Sequence, residues 1–198
     1  MLVIAIVAGL LAGTAASTAG CARNTLASPT LAGGAPVGAA PAGDWSTGVK
    51  EAEVYVQVLR RYLSTPADNS FPGQTFKTIY VLDQAYLDAG KPLGSQERGT
   101  PIASNTQHHI TAALAGVGRV AFIADRETAI EKKDGCPQVR DGGILITLGT
   151  AMGDDHEVQV AINGFVACLG ATWLTYVVQN QRGTGWRVTG TTGPHAIS

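Results

Sequence analysis

EVQVAI, residues 157–162, alternates polar and apolar side chains, with Val158, Val160 and Ile162 on one face. A two-residue period of this kind marks a strand with one buried face. Working outward, residues 143–148 read GILITL, apolar enough for a strand buried on both faces. Residues 172–180 (TWLTYVVQN) and 186–191 (WRVTGT) supply two more stretches rich in β-formers. Residues 149–155 and 181–185 have turn chemistry between them. Four successive strands with short connections predict an antiparallel meander. Asn163-Gly164 is a hairpin signal by itself, so residues 163–171 hold either a tight turn or a longer irregular loop.

Upstream, residues 49–63 place Ala52, Tyr55, Val56, Leu59, Tyr62 and Leu63 on one helical face, with Lys50, Glu51, Glu53, Gln57, Arg60 and Arg61 largely off it. Thr47 is the expected cap, and Pro66 the expected stop, because the residue before proline avoids the helical region. Residues 68–75 are rich in turn formers, and residues 77–83 (KTIYVLD) read as a strand. After a loop over residues 89–99, Thr100-Pro101 predicts a cap followed by proline at the first helical position. That second helix runs to about residue 115, with Ile102, Ile110, Ala113, Leu114 and Val117 toward the core and Gly116 or Gly118 closing it. Residues 119–124 form a further strand. Helices do not alternate with the late strands, so the class is α+β rather than a wound parallel sheet.

The amino-terminal end has a different character. Residues 2–11 read LVIAIVAGLL and are followed by small residues and Cys21. An apolar run of this length suits an export signal over residues 1–20, and Thr14, Ser17 and Thr18 interrupt it before the roughly 20 residues that a spanning helix needs. Thr18-Ala19-Gly20-Cys21 resembles the lipobox of bacterial lipoproteins, which implies acylation of Cys21 and anchoring on the outer side of the cell membrane. Thr18 stands where that family usually has Leu, and no Lys or Arg precedes the apolar run. A cleaved secretory signal and an uncleaved anchor remain the alternatives. Residues 22–43 are rich in Ala, Gly, Pro, Thr and Ser, carry Arg23 as their one charge, and are expected to form a flexible tether. The remaining residues, 44–198, suffice for a single domain with its own core.

Fourteen basic and fifteen acidic side chains leave the chain near neutral, with no basic stripe, so nucleic acid is not an expected partner. Lys132-Lys133 reads as a solvated loop tip. Of three cysteines, Cys136 and Cys168 remain once Cys21 is set aside. In an oxidising compartment an even pair predicts a disulfide. The alternative is two separate thiols, with Cys168 buried as a small hydrophobe. No CxxC, HExxH, P-loop or Gly-x-Ser-x-Gly occurs, so neither a metal nor another cofactor is expected.

An amphipathic first helix, a middle strand and helix, and a meander ending in Gly185-Trp186-Arg187-Val188 resemble the nuclear transport factor 2-like fold and its cystatin-like relatives. The resemblance covers residues 49–191. Residues 125–141 stand as an insertion, and a long helical hairpin usual in that fold is missing or shortened. Residues 191–198 (TTGPHAIS) resemble the endings of uncharacterised bacterial lipoproteins. The resemblance implies two helices packed on a curved, mainly antiparallel sheet ending in a four-strand meander, with a conical pocket at one end. In some members that pocket isomerises or dehydrates small molecules with a carboxylate and a tyrosine or histidine; in others it only binds. Fold does not fix function.

On that analogy Asp83, Tyr80 and His108 are the pocket candidates, with Tyr86 beside them. His108 and His109 point about 100° apart on a helix, so they cannot share one metal. Asp154-Asp155-His156 reads as a polar turn, and Trp173, Tyr176 and Trp186 as core or sheet-face residues. No catalytic residue is assigned. The expected function is a surface-tethered, extracytoplasmic binding or interaction module whose ligand is a small molecule or a protein. A pocket enzyme of isomerase or dehydratase type and a periplasmic inhibitor or immunity-like protein are the alternatives.

Overall fold

A computed structural model describes residues 43–71, 73–92 and 99–198. The leader, Cys21 and nearly all of the tether lie outside the described residues. The first helix, α1 (Gly43–Ser64), carries the predicted apolar face: Ala52, Tyr55, Val56, Leu59 and Tyr62 are buried. It begins before Thr47, which therefore lies within the helix rather than capping it. Once nucleated, each added residue gains a hydrogen bond at little further cost, so the helix propagates into the Gly-containing stretch. Pro66 does stop α1, and it opens a one-turn helix, α2 (Pro66–Asn69), where a loop was expected.

The strands β1 (Thr78–Leu82), β4 (Arg119–Ile123), β7 (Ile144–Leu148), β9 (Glu157–Ala167), β10 (Gly170–Gln181) and β11 (Gly185–Ile197) form a curled mixed sheet in the order β11-β10-β9-β7-β1-β4. The last four strands in sequence among these are the predicted antiparallel meander. β1 is parallel to both β7 and β4, and α3 (Ser104–Ala113) is the crossover between β1 and β4. The α+β class holds, with helices on one face of a curved sheet that is antiparallel except at its β7-β1-β4 side.

Side-chain alternation divides the sheet into two faces. Ile79, Val81, Ile144, Ile146, Leu148, Val158, Val160, Ile162, Leu174, Tyr176 and Val178 pack with Tyr55, Leu59 and Tyr62 of α1 and Ile110 of α3 in the main core. Full burial of one such aliphatic side chain is worth about 1.5–3 kcal/mol. Three buried tyrosines fasten the helices to the sheet by their hydroxyls. Tyr55 donates to the carbonyl of Gly149 at 3.1 Å, Tyr62 pairs with Thr172 Oγ1, and Tyr176 donates to Asp68 Oδ2 at 2.9 Å. Asp68 also accepts from Arg61 Nε at 2.9 Å. Burial pushes all three hydroxyls above the ordinary tyrosine range, so they stay neutral.

Several local readings are corrected. Asn163-Gly164 is not a turn: β9 runs through it, and the reversal comes at Cys168-Leu169. Gly164 is there because the Tyr62 ring and hydroxyl occupy the space a Cβ would take, and a strand glycine often marks such a close approach. Thr100-Pro101 does not open a helix. It forms β3 (Thr100–Pro101), paired with β2 (Gln84–Ala85), and the Ile102 amide donates to the Asp83 carbonyl at 2.8 Å. This ladder keeps the chain extended until α3. Ile102, Ile110 and Leu114 are buried as expected, but α3 ends at Ala113 and Val117 is exposed. The Ala113 carbonyl is taken by Arg60 Nη2 at 2.8 Å.

Residues 125–141 are ordered structure rather than a loop. After a 3-10 turn at Arg126–Ala129, β5 (Ile130–Lys133) and β6 (Cys136–Val139) form a hairpin. Asp134 and Gly135 turn it with φ of 52° and 81°, the left-handed pair that tight hairpins require. Lys132 and Lys133 are thus exposed strand residues. The hairpin covers part of the helix-free face of the sheet, where Ala129 and Val139 join Leu82 and Leu145 in a second small core. Cys136 and Cys168 stand with Cα atoms 5.5 Å apart, at disulfide distance. A short strand, β8 (Met152–Gly153), lies beside β9. The tail is not loose: β11 extends through it to Ile197, forming one edge of the sheet, with register shifts against β10 on both sides of Thr175–Val177. Among the described residues no helix is long and apolar enough to cross a membrane.

Candidate functional site

Tyr80 lies in the middle of β1 and Asp83 just after its end, whereas His108 lies on α3. Tyr80 packs into the second core on the helix-free side, and its hydroxyl donates to Asp141 Oδ2 at 3.3 Å. His108 and His109 are exposed on α3, whose Ile110 faces the main core on the other side of the sheet. Asp154 Oδ1 accepts the backbone amides of His156 at 2.7 Å and Glu157 at 2.9 Å, as in an Asx-type turn. The amides of Glu157 and His156 hold its carboxyl below the usual aspartate range. Asp155 pairs with Lys50 Nζ at 2.9 Å. No group of three metal-ligating side chains occurs among the described residues.

The helix-free face carries a cleft of about 250 Å³ beside the second core. Two rungs of the meander make its floor. Asn163 lies between Thr147 and Trp173 on one rung, and Phe165 pairs with Ala171 on the next. The loop after β2, with Tyr86, Asp88 and Lys91, forms one wall, and Arg126 forms another. Gly90 seats this loop on the sheet: a Cβ there would come within 3.1 Å of Ala161 Cβ and Thr175 Oγ1, which belong to the adjoining rung. The amide of Tyr86 also donates to the Leu148 carbonyl at 2.9 Å. The cleft therefore opens near the carboxyl ends of the parallel strands β1, β4 and β7, the end at which open sheets with parallel strands commonly take ligands.

Two buried side-chain polar atoms among the described residues lack a hydrogen-bond partner, Asp83 Oδ1 and Arg126 Nε. Both lie at this end of the molecule. The Asp83 amide donates to the Ile123 carbonyl at 2.9 Å, and Arg126 follows three residues after Ile123. The nearest carboxylate oxygen to Arg126 Nε is Glu127 Oε1 at 3.7 Å, beyond hydrogen-bond reach. Leaving such a group unmet costs about 1–3 kcal/mol, so each calls for a partner.

A second, smaller cleft of about 190 Å³ lies between α1 and the β8–β9 region, lined by Lys50, Glu51, Val54, Ala151, Gly153 and Val158. Burial raises the Glu51 carboxyl above the ordinary glutamate range. Glu51 is half-buried rather than on the solvent side of α1.

The sequence reading missed Glu51, Arg126, Asn163 and Phe165. Strand alternation contained the signal for two of them: if Val158, Val160 and Ile162 face inward, Asn163 and Phe165 face outward beside Trp173. Nothing local marks Arg126. For Glu51, the spacing of four to Tyr55 on one helix was the available cue. No protein-family model, curated protein or solved structure matches this chain.

Proposed function

We propose that this protein is a surface-tethered, extracytoplasmic binding module that holds a small ligand in the cleft on the helix-free face. The observation that carries this reading is the cleft itself: three aromatic side chains, Thr147 and Asn163 surround a space walled by Arg126. A concave site with an apolar lining and a few converging polar groups is the usual form of a small-molecule site. The leader and Cys21 supply the tether, and the Cys136–Cys168 pair at disulfide distance suits an oxidising compartment. A native mass spectrum of the protein extracted gently from its own cell membranes tests the function. A mass excess lost on denaturation is expected; a mass equal to the processed, acylated chain alone refutes small-molecule binding.

Glu51 favours a second reading, a pocket enzyme of isomerase or dehydratase type. A carboxylate with a raised pKa beside a buried tyrosine hydroxyl is suited to proton transfer. That reading requires Glu51→Gln to abolish turnover of whatever small molecule the native spectrum identifies, while the fold persists.

A further inference from the structure

We propose that the cleft on the helix-free face takes a small carboxylate with a flat apolar body, the carboxylate on Arg126 and the body against Trp173 and Phe165. The inference rests on the binding reading above and adds the chemistry of the ligand. Arg126 lines the cleft with a half-exposed side chain, and its nearest carboxylate oxygen, Glu127 Oε1, stands at 3.7 Å from Nε, beyond hydrogen-bond reach. A guanidinium presents parallel N–H donors that match a carboxylate with two hydrogen bonds. The half-buried Asp88 on the other wall opposes a doubly charged phosphate and leaves room for a single negative charge, helped by the exposed Lys91 on the rim.

The floor selects the rest of the molecule. Trp173 and Phe165 are half-buried on adjacent rungs, with Tyr86 above them, so a planar body covers their remaining apolar surface. Thr147 on the Trp173 rung offers a hydroxyl to a polar substituent, and Asn163, whose Nδ2 donates to the Thr172 carbonyl at 3.0 Å, offers its Oδ1. At about 250 Å³ the cleft is below the range that holds drug-sized ligands, so a single ring with short substituents is the fitting size.

The test titrates the full chain with 4-hydroxybenzoate, benzoate, 4-hydroxybenzamide and phenyl phosphate, following the indole N–H resonance of Trp173. A ligand of this size is expected to bind with a Kd of about 10 µM to 1 mM. The two carboxylates should shift Trp173 saturably, and the uncharged amide should bind about tenfold or more weakly. Arg126→Gln should weaken 4-hydroxybenzoate by about the same factor at an unchanged melting temperature. Arg126→Lys, which keeps the charge and loses the fork, should fall between. Gly90→Val, remote from the carboxylate, should weaken all four probes together by displacing the wall. No Trp173 shift up to about 10 mM carboxylate, equal binding of acid and amide, tighter binding of the phosphate, or an undiminished affinity in Arg126→Gln would each overturn the proposal. A mass excess in the native spectrum together with any of these results leaves the binding reading standing and removes only the carboxylate. Absence of the excess counts against the binding reading itself.

Discussion

Removing the Cys136–Cys168 link should lower stability by about 4 kcal/mol. The two positions are 32 residues apart, and closing a loop of that length in the unfolded chain removes entropy worth about 3.7 kcal/mol at 25 °C. Little else in the backbone replaces the link. Only one residue pair, Gln138 with Ala167, joins β6 to β9. The hairpin otherwise depends on the small core around Ala129, Val139, Leu82 and Leu145. The perturbation is the double substitution Cys136→Ser and Cys168→Ser, with reduced wild-type protein as its control. Guanidinium unfolding reads the free energy, and for a domain of this size the melting temperature should fall by about 10 °C. The slope of the denaturant plot should rise, because the unlinked unfolded chain expands further. Reduced wild type and the double variant should coincide. Two free thiols in unfolded, unreduced protein would refute the reasoning at its base. A loss below about 1 kcal/mol with the bond formed would refute the loop-entropy argument.

Four further predictions concern buried and titrating groups. Tyr62→Phe leaves Thr172 Oγ1 buried without its partner and should cost about 1–2 kcal/mol, most of it recovered in Tyr62→Phe with Thr172→Val, as a double-mutant unfolding cycle would measure. Gly164→Ala should cost about 2–3 kcal/mol because its Cβ would overlap Tyr62, and much less in a Tyr62→Leu background; additive losses would contradict this contact. Glu51 has a raised folded pKa, so the folded state binds its proton more tightly and stability falls as pH rises from about 4.5 through the folded value. Glu51→Gln should remove that decline and raise the melting temperature at pH 7, while Asp154→Ala, lacking a carboxylate of lowered pKa, should flatten the acid limb below about pH 4.

The parts of the fold legible in the sequence are those in which one side chain in two or one in four is buried. EVQVAI, GILITL and the α1 heptad-like stripe state their faces directly, and so the meander and first helix follow. Pairing partners are not local. Nothing in KTIYVLD says that it lies parallel to β7 rather than antiparallel, because that choice depends on α3 crossing the sheet. Asn163-Gly164 carried turn letters for a different reason, the room needed by Tyr62. Asp134-Gly135 carried the same kind of letters as a true turn and stood within a segment read as an insertion. Of the pocket candidates, Tyr80 lies in the second core on the helix-free side and Asp83 follows the end of β1, but neither lines the cleft. Arg126 reaches the cleft through a 3-10 turn whose position depends on β4, and His108 lies on the far side of the sheet.

The place of β1 in the sheet has a kinetic consequence. The four meander strands can zip together by successive reversals, each short in sequence. β1 cannot join in that way: Ile79 pairs with Ile144, 65 residues further along, and must wait until β7 has been made. Contacts of such separation slow folding. In the interval the β7 edge, GILITL, stands bare, with the β-branched apolar composition of segments that associate between chains. The seat that β1 finally fills is thus also the point at which a nascent copy is most open to a wrong partner, and rapid formation of α3 and its crossover shortens that exposure.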